Sequence, residues 1–316
     1  MRPCVPLLVV VSLAAACARS GPPPASPAAT SPDFEVREVT LENGWLFTKL
    51  EIPRTPAGRK PAVVVLGGKG APLRYAGIIV VTFRQNWASL KALEAPQRPP
   101  GEPPPPPPQN TVGSWLLAAP TAKTVGQGYF QLITSQAHDL SRVVDYLLTL
   151  PEVDRTRIGV MGLSTSGFVT LQAVAYDERL SAAAVVASCG DYLQLLHESN
   201  LAMGGKPLDL DPTYERWLRD EEPIRHPARL THAALLMVNG DADLTVPRSC
   251  IERTAQTLQR AYARAGVPER FRFVMFAGEG HTLSDSAQYE VLAWWYRWFV
   301  RRPAEDRPDA DAPRLL

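Results

Sequence analysis

Three side chains that together can break an acyl bond lie far apart in the second half of the chain: Ser164, Asp243 and His281. A serine hydroxyl is a weak nucleophile and needs a base beside it. A histidine supplies that base, and a carboxylate on its other ring nitrogen fixes the tautomer and steadies the imidazolium that forms. Each residue sits in a short run of small residues. Ser164 lies in Gly162-Leu163-Ser164-Thr165-Ser166-Gly167, Asp243 in Gly240-Asp241-Ala242-Asp243-Leu244-Thr245-Val246-Pro247, and His281 in Gly278-Glu279-Gly280-His281. Taken singly, each has a plainer reading. A serine in a turn caps backbone, an aspartate in such a run is solvated, and a histidine among glycines is structural. Their joint placement in the chain is what points to chemistry.

Each of the three must be carried by an element. Arg157 to Gly162 reads as a short apolar strand, and Phe168 to Tyr176 as a helix. A serine at such a strand-to-helix turn needs small neighbours, because the backbone comes close to its surroundings. The following helix aims free N–H groups and its positive dipole end at the site. The pattern is G-x-S-x-G with one departure: position 166 is Ser, and the glycine comes one residue later. Asp243 follows the predicted strand Ala233 to Val238, and His281 follows Phe271 to Phe276. In an open parallel sheet, ligands meet the loops at the carboxyl ends of the strands. The three residues are therefore expected at one end of one sheet.

The rest of the chain supplies that sheet. Phe34 to Leu41 alternates apolar and polar residues, Asn43-Gly44 has hairpin-turn chemistry, and Trp45 to Ile52 reads as a second strand. Pro61 to Leu66 is a continuous apolar run, as a strand buried on both faces should be. It ends in Gly67-Gly68-Lys69-Gly70, which lacks both phosphate-binding glycine patterns. Gly77 to Phe83 is the next strand. Residues 84–128 form an insertion with Trp87, the proline-rich tract Pro99 to Pro108, and Trp115. Gln131 to Leu150 has helical periodicity, with Leu140, Val143, Val144 and Leu147 on one stripe, and Val153 to Arg157 is read as a connection. Ala182 to Ser188 is a strand, 190–230 a helical cap, Arg248 to Ala265 and Ser284 to Val300 helices, and 301–316 a loose tail. Strands alternating with helices imply a mostly parallel sheet with helices on both faces, entered through an antiparallel hairpin.

From about Pro61 to Phe299 the chain resembles the α/β-hydrolase superfamily, and within it the dienelactone hydrolase, acetyl xylan esterase and prolyl oligopeptidase catalytic-domain group. The resemblance rests on Val153-Asp154 before Arg157-Ile158-Gly159-Val160-Met161-Gly162, on Gly240-x-x-Asp243-x-x-Val246-Pro247, and on Gly278-Glu279-Gly280-His281. It implies the α/β-hydrolase fold, with Ser164 as nucleophile, His281 as base and then acid, and Asp243 as the orienting carboxylate, Asp241 being the fallback. It also implies an oxyanion hole formed by the backbone N–H of Thr165 and of Gly68 or Lys69. No histidine precedes Gly67, so the His-Gly start of many oxyanion loops is missing. The expected function is a serine hydrolase that cleaves carboxylic esters through an acyl-enzyme, with activity rising with pH as His281 becomes neutral. One alternative is a peptidase for short peptides, although 33–60 is too short a stretch for a β-propeller-like gate. The other is a non-catalytic surface lipoprotein that uses the fold for binding.

The 316 residues carry a net charge of +1 and have no Lys/Arg run in the middle of the chain. Nothing favours nucleic acid as a partner; the expected partner is a small-molecule ester. Met1 to Ala16 reads as a secretory signal, too short to cross a membrane comfortably. Leu13-Ala14-Ala15-Ala16-Cys17 resembles a bacterial lipobox, with Cys17 as the lipidation site and the sole link to a membrane. Plain cleavage after the A-x-A site is the alternative. Residues 17–32 then form a Pro/Ala/Ser tether, and Ala18 suits the outer membrane. The expectation is an exported protein, lipid-anchored in a bacterial envelope or otherwise secreted. In that oxidising compartment Cys189 and Cys250 form an even pair, so a disulfide is expected, with two buried thiols as the alternative. His138, His197, His226 and His232 lack ligand spacing, and neither a metal nor a cofactor is implied.

Overall fold

Burial of the strands rises from the N-terminal edge of the sheet to its centre, following the sequence pattern. The computed structural model describes residues 33–67, 70–85, 122–199 and 212–301. The N-terminal strands β1 (Phe34–Leu41) and β2 (Leu46–Pro53) alternate in burial along their length, as half-covered antiparallel strands do. In contrast β3 (Lys60–Val65) is buried at every position. The others are β4 (Ile79–Gln85), β5 (Val153–Leu163), β6 (Leu180–Val186), β7 (Ala234–Gly240, wholly buried) and β8 (Phe271–Phe276). They form one eight-stranded sheet in the order β1-β2-β4-β3-β5-β6-β7-β8. β1 and β2 pair antiparallel from Phe34↔Pro53 to Leu41↔Leu46, and β2 pairs antiparallel with β4. The other neighbours are parallel. This is the α/β-hydrolase fold with its antiparallel entry. The hairpin connection has positive φ at Glu42, Asn43 and Gly44, the conformation that Asn and Gly tolerate best.

Six helices are described: α1 (Ala122–Thr149), α2 (Thr165–Tyr176), α3 (Tyr192–Glu198), α4 (Pro212–Glu221), α5 (Arg248–Arg264) and α6 (Asp285–Trp295), the last running into a π-helical turn, Tyr296–Val300. On one face of the sheet the stripe Leu140, Val143, Val144 and Leu147 of α1 is fully buried with Leu171 of α2 and Leu258 of α5. On the other, Val291 and Trp295 of α6 join Val63, Met161 and Leu236 of the strands. Asp139 of α1 is buried and ties the elements together. It accepts from Trp45 Nε1 at 3.0 Å, from the Gln85 side chain and from Arg142. A buried carboxylate is tolerated only when paired in this way.

Several boundaries differ from the sequence reading. α1 begins at Ala122 and β4 runs to Gln85, so the insertion expected at 84–128 is bounded by residues 86 and 121. The first turns of α1 carry Gly126 and Gly128, which weaken the helical signal. Val153 to Arg157, read as a connection, belongs to β5. Lys60 pairs with Val153 and Ala62 with Ile158, so several residues of β5 bulge past one of β3. Asp154 there accepts from the Thr156 backbone and hydroxyl and pairs with Arg157. Such local polar bonding hides a strand from a periodicity argument. β4 starts at Ile79 instead of Gly77, which ends a 3₁₀ turn at φ 77°. The expected lipidation site Cys17, the tether and tail, and the tryptophans Trp87 and Trp115 lie outside the described residues.

The cap region is held down covalently. Cys189, just after β6, and Cys250, in the first turn of α5, are joined by a disulfide, with Cα atoms 6.0 Å apart and 61 residues between them in sequence. A crosslink across such a loop contributes about 2–5 kcal/mol. Reduction, or the Cys189→Ser/Cys250→Ser pair, is expected to lower the melting temperature, and neither thiol should label before reduction.

Beside the disulfide, Glu222 is fully buried, accepts from Leu193 N–H at 2.7 Å and faces Arg225 at 3.1 Å. Burial pushes its carboxyl above the usual range. The Leu193 N–H opposes the rise, nearby Asp191 adds to it, and Arg225 opposes it. The folded protein therefore holds this proton more tightly than the unfolded chain does. Its contribution to stability is lost as pH rises from the unfolded carboxyl range through the folded value. Glu222→Gln should flatten the melting temperature of the folded protein between pH 4 and 8; an unchanged slope would contradict this assignment.

Candidate active site

Ser164 sits between β5 and α2 in a conformation that L-residues rarely adopt, φ 59° and ψ −124°. The turn closes on itself. A side chain on Gly162 would run into the backbone carbonyl of Ser166, so only glycine fits there. Ser164 N–H donates to Val186 O of the neighbouring strand at 2.9 Å, and its own carbonyl accepts from Gly167 and Phe168 at 2.7 and 3.2 Å. A side chain on Gly167 would come within 2.7 Å of Ser188 Cβ. The glycine displaced from position 166 is thus needed at 167, against the end of β6.

Asp243 follows β7. Its side chain is fully buried, yet every oxygen has a donor. Thr245 and Val246 N–H donate to Oδ1 at 2.8 and 2.9 Å, and His281 Nδ1–H donates to Oδ2 at 2.7 Å. Such charge-assisted bonds are what makes a buried carboxylate affordable. His281 follows β8 and keeps about a quarter of its side chain exposed. Its other nitrogen, Nε2, accepts from Ser164 Oγ–H at 2.7 Å. The three expected residues therefore meet at the carboxyl end of the sheet in one hydrogen-bonded chain.

Asp241, the fallback carboxylate, does not reach His281. It accepts from Gly278 N–H at 2.6 Å, and Arg248 lies 3.9 Å from its other oxygen. Ala242 N–H donates to Glu279 O at 2.9 Å, and Gly240 leaves room for that same carbonyl. The β7 and β8 loops are thus stapled together just before His281, with Gly278 held at φ 73°. This positioning role was not read from the sequence; two carboxylates two residues apart in a glycine-bounded turn were its signal. A second unread support lies at the end of β6. Ala187 has φ 47°, and Asn239 Nδ2 donates to Ser188 O at 3.0 Å. Of the proposed oxyanion donors, Thr165 is the first residue of α2; Gly68 and Lys69 lie outside the described residues. Among the described residues no cluster of three or more His, Cys, Asp or Glu could hold a metal ion, and no helix is long and apolar enough to cross a membrane.

Residues 126–304 match the prolyl oligopeptidase family. The chain belongs to that family. The family is one of serine hydrolases, and the fold is that of the α/β-hydrolase superfamily. The uncharacterized protein PA2218 of Pseudomonas aeruginosa is 31% identical over 157 residues, which cover 48% of this chain and 36% of that protein. The chain thus spans about a third of that relative. The solved structures that share the fold include a peptidase and an esterase. The puromycin-hydrolyzing peptidase of Mycobacterium tuberculosis superposes with a TM-score of 0.55 at 18% identity, over 84% of this chain and 39% of that one. The glucuronoyl esterase from Solibacter usitatus does so with a TM-score of 0.51 at 15% identity, over 85% and 87%.

The staple predicts a measurable effect. Asp241→Ala leaves the Gly278 N–H without its acceptor and loosens the loop before His281. Turnover of an aryl ester should fall roughly 10-fold with the melting temperature little changed. Unchanged turnover would show that the loop holds His281 without this bond.

Proposed function

We propose that the protein hydrolyses carboxylic esters through an acyl-enzyme, with Ser164 as nucleophile, His281 as proton shuttle and Asp243 as its orienting partner. The observation that carries this reading is the unbroken chain Ser164 Oγ–His281–Asp243, both links at 2.7 Å, with each residue delivered by a different strand. In the first half-reaction Ser164 Oγ attacks the ester carbonyl as its proton passes to His281 Nε2. The imidazolium is held by the buried carboxylate of Asp243. The backbone N–H of Thr165, and that of Gly68 or Lys69, take up the tetrahedral oxygen. Collapse breaks the C–O bond, and His281 returns the proton to the leaving alkoxide. Water then repeats the sequence on the acyl-enzyme, releasing the acid and restoring Ser164.

The same machinery would cleave an amide. The family's name and the peptidase neighbour favour short peptides as the second reading. Relative rates on aryl esters and aminoacyl amides separate the two. The site at Cys17 and export to a bacterial envelope rest on the N-terminal sequence alone; metabolic labelling with a fatty-acid analogue, lost in Cys17→Ala, tests them.

Ser164→Ala should lower kcat on a small ester by on the order of 10⁴- to 10⁶-fold with the fold intact. A fluorophosphonate probe should label the wild type at Ser164. Activity surviving in Ser164→Ala would sink the reading, and a folded protein inert to both probe and esters would favour a binding role.

A further inference from the structure

The departure from G-x-S-x-G is not a passive substitution. Ser166 Oγ–H donates to the carbonyl of Leu66 at 2.7 Å, across 100 residues of sequence. Leu66 is the first residue past β3, where the parallel ladder with β5 has its last pair at Val65↔Met161. Its N–H still donates to Met161 O at 2.9 Å. Leu66 is therefore held from both sides, by the strand through its N–H and by Ser166 through its carbonyl. A glycine at 166 would leave only the first of these ties.

The donor itself has little freedom. Its backbone carbonyl is wedged against Gly162 and accepts from Thr170 Oγ1 at 2.8 Å. On the receiving side, a side chain on Gly67 would come within 3.2 Å of Ser166 Oγ. Gly67 thus provides the space that the extra hydroxymethyl group occupies. The Leu66 carbonyl and the Gly67 N–H belong to one planar peptide unit. Fixing the carbonyl direction fixes the plane in which the backbone leaves β3, on the side of the turn that carries Ser164.

We propose that Ser166 is a positioning residue for the reaction: its hydroxyl ties the turn bearing Ser164 to the Leu66–Gly67 peptide and so fixes the placement of the Ser164 hydroxyl on which the tetrahedral adduct forms. The inference rests on the reading of Ser164 as nucleophile. The group never touches the substrate. It acts through the turn it ties down, so its contribution belongs to the transition state and not to ground-state binding. Removing an oxyanion donor outright costs about 10²- to 10³-fold. Releasing one hydrogen bond that aims the backbone should cost less, about 3- to 10-fold.

The test compares wild type with Ser166→Ala, which removes only the hydroxyl, and Ser166→Gly, which restores the G-x-S-x-G pattern. Three quantities are read: kcat and KM on an aryl ester, inhibition by an alkylboronic acid that forms a tetrahedral adduct, and inhibition by the product carboxylic acid. Both variants should lose about 3- to 10-fold in kcat, and the boronic acid should weaken by a similar factor. KM and product inhibition should stay within about 2-fold. Wild-type kcat and boronic-acid affinity in both variants would overturn the proposal. So would a loss shared equally by KM, product inhibition and melting temperature, which is what a merely structural role would give. Full activity in Ser164→Ala would overturn the underlying reading as well, whereas loss there beside wild-type behaviour in both Ser166 variants overturns the Ser166 inference alone.

Discussion

The backbone carbonyl of Ser166 lies so close to Gly162 that no side chain fits between β5 and α2. This one steric contact organises the site. It closes the turn tightly enough to force Ser164 to positive φ, where only a surrounding fold can hold a non-glycine residue. The neighbouring strand pins the same residue through Val186 O, and α2 begins immediately after it. With the turn closed, the hydroxyl of Ser166 reaches Leu66, and two strand ends become one rigid corner. The strain at Ser164 is offset by packing on every side: Gly167 against Ser188, and Gly162 against the helix start.

The other half of the site is held by electrostatics more than by sterics. Asp243 has no exposed side-chain surface and would be costly unpaired. Two backbone N–H groups and the imidazole together satisfy it. Because the two N–H donors come from the next residues of its own turn, the carboxylate is oriented before His281 arrives. Asp241, two residues earlier, does the complementary work on the histidine's loop through Gly278. One aspartate orients the ring and the other shapes the backbone that carries it.

The disulfide and the buried carboxylates of the cap region show where stability is concentrated around the site. Cys189 leaves the end of β6 next to Ser188, and Cys250 opens α5 shortly after Asp243. The bond therefore ties the start of the cap to the helix that follows the acid loop. Glu222 sits beneath the same region with only one backbone donor and one arginine. Its carboxyl is raised by burial, whereas Asp154, also desolvated, is held low by Thr156 and Arg157. Deep burial, with Asp191 nearby, decides the direction for Glu222, and the donors from Thr156 and Arg157 decide it for the more exposed Asp154.

Much of this was legible in the amino-acid order. Strand character, the alternation with helices, and the sequence of Ser164, Asp243 and His281 after three strands all follow from apolar patterning, which is local and repeats along the chain. What could not be read lacks a local signal. The start of α1 carries two glycines that interrupt its helical pattern, and the bulged start of β5 depends on pairing with a distant strand and not on its own periodicity. The choice of Asp243 over Asp241 rests on resemblance, and the contact of its carboxylate with His281 is set by the loop's three-dimensional neighbours. Sequence alone determined that a serine, an aspartate and a histidine would meet at one end of a parallel sheet, because chain order and burial pattern dictate topology. Only the tertiary structure decided that Ser166 is a hydrogen-bond donor to a strand end 100 residues away, because a departure from a motif acquires meaning only from the atom it comes to face.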